Sequence, residues 1–550
     1  MNRLTSFIWC LLTLVLSLTL VGCQTPAQAA AFQPLSITAP NCEGSNLIQS
    51  IEALDETTVR FTLCSADPDF ASKVAFITFA IQDLAYLNEM KGDSALMNEN
   101  PVGTGPYIVK RREANQIVLG VNPTYWGVPP GVGEIVIIGK RAPTDRVQAV
   151  ITGSADVADS PAVSDLNRIS TMPNLSAQIR PALSTIYLGM NNKIAPFDNP
   201  KVREAIAKAI DRNDLVHVFY PFGSLAADQF VPPILSPGFT NGMNWYAYDP
   251  EEARALLEEA GYDFNQEIDI AFNADPTAEV PEPFRLATYI QSQLRRIGVN
   301  IRLRPLVGTA FDVSVDTGQE SLYLQTWNFA PPDALSFYRA HFLGANDPFG
   351  TIPQELIDQI VASGTESNIF SRQQRYDRIN GLIKENIFGV PLAHFAGTLV
   401  FNNTVQNISV TPFNESLIEM NTPTDRLTFM QTRLPEVLWP ADETDADSFR
   451  VAGLIYESLT TFSDEGLSIK PALAEYWENN PGNTQWTFYL RHSVKFSNGS
   501  ALDANDVVAS FAAQWNVASP NHVGRTGDFT YFKRFFGGFI STDPNIKPKQ

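Results

Sequence analysis

Apolar residues follow two different periods along the chain. Over 51–63 they alternate with polar residues on both sides of an Asp-Glu turn, which predicts a β-hairpin. Further along they recur every three or four residues, and the clearest of these segments starts at Asp249 as an N-cap and stops at Gly261. Another predicted helix, over 284–297, leads directly into a predicted strand. This alternation of helices and strands indicates an α/β fold.

The N-terminal segment has the features of a bacterial lipoprotein signal. Its apolar run over 7–20 is shorter than the roughly 20 residues of a membrane-spanning helix, and it closes with a lipobox-like Leu-Val-Gly-Cys ending at Cys23. We predict a lipoprotein signal peptide over 1–22, lipid attachment at Cys23 and a tether over 23–31. The alternative is an ordinary signal peptide cut within 27–30. Both interpretations place the rest of the chain outside the cytoplasm, and the first also holds it at a membrane surface.

Two further cysteines, Cys42 and Cys64, flank the predicted hairpin. Compartments outside the cytoplasm permit disulfides, so a bridge across the open end of the hairpin is one interpretation. Two separate buried thiols are the other.

Length and charge narrow the class of protein. A chain of 550 residues is too long for one hydrophobic core, so two or three domains are expected. Lys and Arg number 39 against 59 Asp and Glu, which gives a formal net charge of −20. Such an acidic surface repels phosphate backbones, and this argues against nucleic acid as a partner.

The sequence lacks the short motifs that would indicate catalysis. The turn at Gly103 and Gly105 has no third glycine and leads into a strand, so it is not a dinucleotide fingerprint. The sequence also contains no phosphate-binding loop, zinc-protease motif or nucleophile elbow. The five histidines are scattered rather than paired: His217, His341, His394, His492 and His522. We therefore expect a protein that is not an enzyme and that uses no cofactor or metal ion.

Eight short motifs are distributed over the mature chain. They lie at 101–107 (PVGTGPY), 122–126 (NPTYW), 191–212, 248–262, 455–459 (IYESL), 471–477, 490–496 and 504–511. Each motif alone is weak evidence. Together they resemble the motifs of the family 5 extracellular solute-binding proteins, which serve peptide and nickel ABC importers.

The order of these motifs differs from that of the family. The blocks over 427–511, which normally open the mature protein, here follow the block near 391–403, which normally closes it. This order resembles a circular permutation. A fragment of two tandem receptors is the rival interpretation, but it would duplicate a motif, and none is duplicated. A permuted chain predicts that Leu35 and Ile546 lie within reach of one short loop.

The resemblance implies a type II periplasmic-binding-protein-like fold of class α/β, with two lobes and a peripheral third domain. The implied boundaries are 97–192 and 404–462 for lobe I, 193–403 for lobe II, and 32–96 and 463–550 for the peripheral domain. The permutation then cuts the peripheral domain and leaves both lobes whole.

The resemblance also implies a function. The expected protein is a lipid-anchored, monomeric substrate-binding protein that captures a peptide-like solute by lobe closure and delivers it to an ABC permease and ATPase complex. Its expected location is the periplasm or the outer face of the cell membrane. A receptor of the same fold for an oligosaccharide or a metal chelate is the first alternative, and a secreted hydrolase is the second.

One family motif bears on the ligand. Peptide-binding members anchor the ligand amine with the Asp of a W-x-x-D run, and the matching run here begins at Trp327 but has Ala330 in the anchor position. Asp333 could substitute three residues later. The candidate ligand-binding residues are Trp327, Asn328, Phe329, Asp333, Tyr187, Asn191, Asn192 and His394. The alternative is that the aromatic residues belong to the core, the asparagines cap turns and the histidine is structural.

Overall fold

The computed structural model describes residues 32–42, 46–329, 332–344, 348–413, 416–463 and 467–542. The strands are β1 Ser36–Thr38, β2 Ile48–Asp55, β3 Thr58–Leu63, β4 Tyr107–Glu113, β5 Gln116–Val121, β6 Glu134–Gly139, β7 Val157–Asp159, β8 Leu175–Met190, β9 Leu225–Ala226, β10 Glu267–Asn273, β11 Asn300–Leu306, β12 Leu322–Asn328, β13 Gly389–Asn402, β14 Arg426–Gln431, β15 Thr460–Phe462, β16 Ile469–Pro471, β17 Ala474–Asn479 and β18 Gln485–Leu490. The helices are α1 Phe70–Lys73, α2 Leu84–Met90, α3 Ser94–Met97, α4 Pro143–Ile151, α5 Val163–Ile169, α6 Pro200–Ala209, α7 Arg212–Phe219, α8 Pro250–Glu259, α9 Pro283–Arg296, α10 Thr309–Asp316, α11 Ala334–Phe342, α12 Gln354–Ser363, α13 Ile369–Asn386, α14 Ala446–Ile455, α15 Ala504–Trp515 and α16 Thr530–Phe536.

The helices begin and end where the sequence places their caps. The Asn199 side chain accepts a hydrogen bond from the Lys201 backbone N–H at 3.0 Å, at the start of α6. At the start of α8, the Asp249 side chain accepts a hydrogen bond from the Glu252 backbone N–H at 2.9 Å. Helix α8 is followed by Gly261, whose φ is +67°. A left-handed residue at this point is typical of glycine because it has no Cβ. The predicted helices α8 and α9 are confirmed, and so is the strand β11 that follows α9.

The predicted hairpin is confirmed as β2 and β3, and it belongs to a five-stranded antiparallel sheet ordered β1-β2-β3-β18-β17. Thr62 of β3 lies opposite Gln485 of β18, so the two ends of the chain share this sheet. Cys42 and Cys64 form a disulfide in the structure, with 5.3 Å between their Cα atoms. The bridge ties the segment before β2 to the end of β3.

A larger sheet runs through the rest of the protein. Its order is β11-β10-β12-β8-β13-β7-β14-β6-β5-β4, with β9 paired to β13. We call β4, β5, β6, β7 and β14 the first half of this sheet, and β10, β11 and β12 the second half. The long antiparallel strands β8 and β13 run through both halves and connect them.

The ladder between β8 and β13 is interrupted where the two halves meet. Arg180 pairs with Gly397, and Ser184 pairs with Phe395. Three residues of β8 therefore lie opposite a single residue of β13. An irregularity of this kind bends a strand and weakens its pairing locally.

The segments near the two ends of the described chain lie against one helix. The backbone N–H of Leu35 donates to Asn505 Oδ1 at 2.7 Å, and Asn516 Nδ2 donates to the Thr542 carbonyl at 2.7 Å. These asparagines stand at opposite ends of α15, about 16 Å apart for a helix of that length. Ile546 lies outside the described residues, so its proximity to Leu35, and with it the circular permutation, stays a prediction.

The predicted domain boundaries also stay predictions. The five-stranded sheet is drawn from residues 36–63 and 474–490, which fall in the two segments expected to form the peripheral domain. The signal peptide 1–22, Cys23 and the tether 23–31 lie outside the described residues. In the ranges that the structure does describe, no helix is both long and apolar enough to cross a membrane.

Candidate ligand-binding site

A cavity of about 1360 Å³ opens beside the first half of the large sheet. Most of its wall comes from four regions: the loop after β5, the segment after β13, helix α14 with strand β15, and residues 75–77 before α2. The second half contributes Asn328 at the end of β12. Leu183, in the interrupted part of β8, also lines the cavity. The cavity therefore reaches the point where the two halves of the sheet meet.

Aromatic rings make up much of the cavity wall. Phe76 packs against Phe449 at 5.2 Å and against Tyr531 at 4.8 Å between ring centres. Tyr125 and Trp126, which follow β5, form a second group with ring centres 5.8 Å apart. Such surfaces can cover apolar parts of a solute, while polar groups at their edges fix its orientation.

Trp126 is held by a polar and a cationic contact. Its indole Nε1 donates a hydrogen bond to Glu457 Oε2 at 2.8 Å. The Arg491 guanidinium lies 4.8 Å from the centre of the Trp126 ring, within the range of a cation–π contact. Arg491 is itself fixed by a 2.6 Å hydrogen bond from its Nε to the Ala472 carbonyl. Both contacts hold the ring in position before any solute enters.

Glu457 is the carboxyl group most deeply placed in the cavity wall. Burial raises the pKa of Glu457 to about 7, although hydrogen bonds from Trp126 and Thr104 and the nearby Arg491 act in the opposite direction. Burial disfavours a charged carboxylate, so this group exchanges its proton near neutral pH. It can accept a hydrogen bond from a solute donor in its charged form and donate one in its neutral form.

Of the eight predicted ligand-binding residues, Asn328 lines the cavity. Trp327 lies directly before it in β12, and its ring packs against His341 at 4.7 Å and under the Arg534 guanidinium at 3.9 Å. Trp327 is half-buried and stands next to the cavity rather than in its lining. Ala330, in the expected position of the amine anchor, is outside the described residues.

Tyr187 and Phe329 lie in the hydrophobic core of the second half. Tyr187 is 1% exposed, and its hydroxyl forms a 2.8 Å hydrogen bond with His341 Nε2. Phe329 is fully buried and packs against Phe337 with ring centres 5.7 Å apart. Neither ring is part of the cavity lining.

The two predicted asparagines stabilise turns at the end of β8. Asn191 Oδ1 accepts from the Lys193 backbone N–H at 3.0 Å, and Asn191 Nδ2 donates to the Gly318 carbonyl at 3.1 Å. Asn192 exchanges two hydrogen bonds with the Thr351 backbone, at 2.7 and 2.9 Å. Their amide groups are engaged by the protein itself.

Asp333 and His394 also have structural partners. The Asp333 carboxylate caps α11 by accepting from the backbone N–H groups of Leu335 and Ser336, at 2.9 and 3.2 Å. His394 Nδ1 lies 2.9 Å from Thr185 Oγ1, and burial lowers the pKa of His394 to about 3. His394 is therefore neutral at physiological pH. A ligand-binding role for the seven residues outside the lining is not tested by these contacts and stays a prediction.

The residues that do line the cavity carried a signal in the sequence. Tyr125 and Trp126 close the 122–126 motif, and Tyr456 and Glu457 stand in the 455–459 motif. Each motif places a carboxyl or aromatic side chain directly after a strand or a helix, where side chains leave the packed interior. By themselves, both motifs indicate the family rather than a cavity wall.

The family resemblance is established by comparison with known proteins. The sequence model of the bacterial extracellular solute-binding proteins, family 5 Middle, matches residues 22–349 and 468–533. The chain belongs to this family. It is accordingly an extracytoplasmic solute-binding protein and not an enzyme, and the hydrolase alternative is withdrawn.

Two characterised relatives cover similar parts of this family 5 chain. It is 27% identical to di/tripeptide-binding protein 2 of Pseudomonas aeruginosa over 377 residues, which are 66% of this chain and 69% of the relative. It is 25% identical to heme-binding protein A of Haemophilus influenzae over 374 residues, 67% of this chain and 68% of the relative.

Solved structures show the same fold. HbpA2 from Haemophilus parasuis matches with a TM-score of 0.61 and 24% identity, over 68% of this chain and 76% of that chain. The dipeptide-binding protein of Pseudoalteromonas sp. SM9913, in complex with Met-Leu, matches with a TM-score of 0.58, 25% identity and the same coverage of 68% and 76%. The predicted two-lobed type II fold is thereby confirmed. From here on, lobe I is the first half of the large sheet with its helices, and lobe II is the second half.

Proposed function

We propose that this protein is a lipid-anchored substrate-binding protein of an ABC importer, which captures a peptide-like solute by lobe closure and delivers it to a membrane permease. The observation that carries the proposal is the large aromatic cavity of lobe I, which reaches lobe II at the interrupted strands β8 and β13. A solute in this position touches both lobes, so its binding energy can favour the closed arrangement.

The connection between the lobes supports closure. Pro181 has no backbone N–H, and the Ala396 N–H donates to Ser224 Oγ at 3.0 Å instead of to the neighbouring strand. The two crossing strands therefore lose ladder hydrogen bonds in the few residues between the lobes. Hinges are formed by short segments of this kind, which absorb a change in backbone angles.

A peptide-like solute is supported by the chemistry of the cavity. Glu457 offers a buried carboxyl group for a solute donor, and the rings of Tyr125 and Trp126 offer an apolar surface beside it. One relative is named a di/tripeptide-binding protein, and one similar structure holds Met-Leu. Ala330 has no carboxylate for a solute amine. Glu457 is therefore the candidate to bind that amine.

A second solute class is supported by the size of the cavity. About 1360 Å³ is more than a dipeptide needs and exceeds the usual range of small-molecule pockets. One relative is named a heme-binding protein. A larger aromatic solute such as a metal chelate is therefore the second candidate, and an oligosaccharide remains the third.

The anchor and the partners are proposed from the sequence. Cys23 follows an apolar segment of the length of a signal peptide, and a diacylglyceryl group there would hold a monomeric receptor beside its permease and ATPase. Metabolic labelling with an alkynyl fatty acid tests this step. We expect label on the wild type and none on Cys23→Ser; label on both would contradict the anchor.

Binding is tested on the detergent-solubilised full chain. Native mass spectrometry of the purified protein should show a retained solute, and the retained solute or a matching peptide should raise the melting temperature. At a hundredfold excess over Kd the added stability is about 2.7 kcal/mol. Tyr476→Ala, on the exposed face of the five-stranded sheet, is the control for Trp126→Ala in the cavity. The proposal fails if no solute is retained and neither peptides nor hemin shift the transition.

A further inference from the structure

Arg534 crosses from helix α16 to the end of strand β12. Its guanidinium lies 3.9 Å from the centre of the Trp327 ring and 5.9 Å from the centre of the Tyr531 ring. The contact with Trp327 is short enough for the planar group to stack on the indole. A stacked guanidinium directs its N–H donors sideways, away from the ring that supports it.

These donors have few partners among the residues that the structure describes. Within that part of the chain, Arg534 Nε is sealed from solvent and has no hydrogen-bond partner. Nη2 has a contact of 3.4 Å with the Asn328 carbonyl, at the long limit for a hydrogen bond. Among the residues that the structure describes, no carboxylate oxygen lies within 4.0 Å of the guanidinium.

A second arginine, Arg372, shows a guanidinium that has an anionic partner. Arg372 of α13 forms a two-pronged pair with Asp69, with Nη–Oδ distances of 2.6 and 3.0 Å. Arg534 is half-buried, and burial of its guanidinium lowers the pKa of Arg534. A cation that loses part of its hydration without gaining an anion is unfavourable, so the free protein keeps Arg534 short of a partner.

The position of Arg534 relates it to the cavity. Tyr531 and Asn328, two neighbours of its guanidinium, both line the cavity. Asn328 belongs to lobe II and Tyr531 to the C-terminal segment, so Arg534 stands where these two parts of the protein meet the solute space. A solute group at this end of the cavity would approach the free edge of the guanidinium.

We propose that Arg534 is the anchor for a carboxylate of the bound solute, an inference that rests on the proposed solute-binding function. A carboxylate matches the planar fork of a guanidinium with two parallel hydrogen bonds. The solute carboxylate would be the anionic partner that the Arg534 guanidinium lacks among the described residues. The solute class is thereby narrowed to molecules with a free carboxylate, which includes a peptide C-terminus and a heme propionate.

The test compares each acid with its neutral derivative. Calorimetric titration of the full chain would use Met-Leu against Met-Leu amide, and hemin against hemin dimethyl ester. For the wild type we expect the acid of at least one pair to bind about tenfold to a hundredfold more tightly than its neutral form. Arg534→Gln should reduce this preference to within about twofold, and Arg534→Lys should retain part of it because the charge remains but the fork is lost.

Lys533→Gln is the matched control, since it removes one positive charge from the exposed neighbour on the same helix. It should leave the preference unchanged. The melting temperature of ligand-free Arg534→Gln should equal or exceed that of the wild type, because a half-buried cation without an anionic partner is removed. A lower melting temperature with an intact acid preference would assign Arg534 a structural role and overturn the inference.

The outcomes separate the anchor from the proposed peptide function. Tight binding of a peptide without an acid preference, or a preference that survives in Arg534→Gln, overturns the anchor and leaves peptide binding in place. An acid preference seen with hemin alone supports the anchor and removes the peptide. Failure of all four probes to bind overturns the anchor and the proposed function together.

Discussion

Two groups of aromatic side chains, one in each lobe, illustrate the difference between a core and a binding site. In lobe II, Tyr187, Phe230, Phe337, His341 and Phe349 form a closed cluster, and each is no more than 7% exposed. In lobe I, Tyr125 and Trp126 line an open cavity and are only half-buried. The residue types are alike, so composition does not distinguish the two groups.

The polar atoms of the rings do distinguish them. The Tyr187 hydroxyl is bound to His341 inside the cluster, and burial lowers the pKa of His341 to about 3. The two polar groups of this pair are bound to each other inside the core. In the cavity, the Trp126 N–H is bound to Glu457, whose carboxyl group lines the solute space. A binding site therefore shows itself by polar partners that face a cavity, rather than by aromatic residues alone.

The largest expected effect concerns the stability of the closed cluster. Phe337→Ala should lower the free energy of unfolding by about 3–5 kcal/mol, because a fully buried ring leaves a cavity that its neighbours cannot fill. Tyr125→Ala, the control in lobe I, should lower it by less than about 1.5 kcal/mol. Denaturation in urea gives both values. Equal losses in the free energy of unfolding would contradict the distinction between a core cluster in lobe II and a binding-site wall in lobe I.

The next effect is a pH dependence of the free energy of unfolding that arises from Glu457 in the cavity wall. Glu457 has a folded pKa of about 7 against a reference value of 4.5, so the folded state holds a proton that the unfolded state has released between these values. The free energy of unfolding should therefore fall as pH rises from about 4.5 to 7, by about 3 kcal/mol from this group. Glu457→Gln should remove this part of the pH dependence.

Chemical denaturation at pH 5 and pH 8 measures the effect of Glu457. Glu251→Gln, on the exposed face of α8, serves as the control and should leave the wild-type slope unchanged. Burial also raises the pKa values of Glu443 and Asp506 to about 7, so some slope should persist in every variant. A Glu457→Gln variant with the full wild-type slope would contradict a proton bound at the cavity wall.

A somewhat smaller effect is expected on solute affinity. Trp126→Ala removes a ring from the cavity wall and leaves Glu457 without its hydrogen-bond donor, which should weaken binding by about 2 kcal/mol, or roughly thirtyfold. Calorimetry with the retained solute measures this change. Phe349→Leu, a milder change in the closed cluster, should alter the affinity less than about threefold. The reverse ranking would place the site in lobe II.

The smallest effect tests the order of the segments. Joining residue 542 to residue 34 by a short linker and opening the chain at the exposed turn before β14 restores the family's order. Neither aromatic group is cut, so the melting temperature should stay within a few degrees and the affinity should not change. An unfolded product would argue against a circular permutation.

More of the fold than of the candidate site can be predicted from the sequence. Caps such as Asn199 and Asp249 act within a few residues, so local patterns were sufficient for the helices. The family motifs gave the two-lobed architecture because they mark turns and strand ends that recur in that fold. The boundaries of the domains and the order of the segments stay predictions, since Ile546 lies outside the described residues.

The candidate site depended on distant contacts that no local pattern reveals. The size of Tyr187 and Phe329 predicts rings that stack on a solute, but both lie in the core of lobe II. No local pattern points to Arg534, since its aromatic partner Trp327 is about two hundred residues away in the chain. Only the fold shows that this arginine is half-buried, has no anionic partner among the described residues and stands close to the cavity.

A crystal structure of the protein with its retained solute is the most direct test of a binding site in lobe I. We expect solute density against Tyr125 and Trp126, with one end directed toward Arg534. Density beside Tyr187, Asn191 and Asn192, with the lobe I cavity filled only by water, would contradict it.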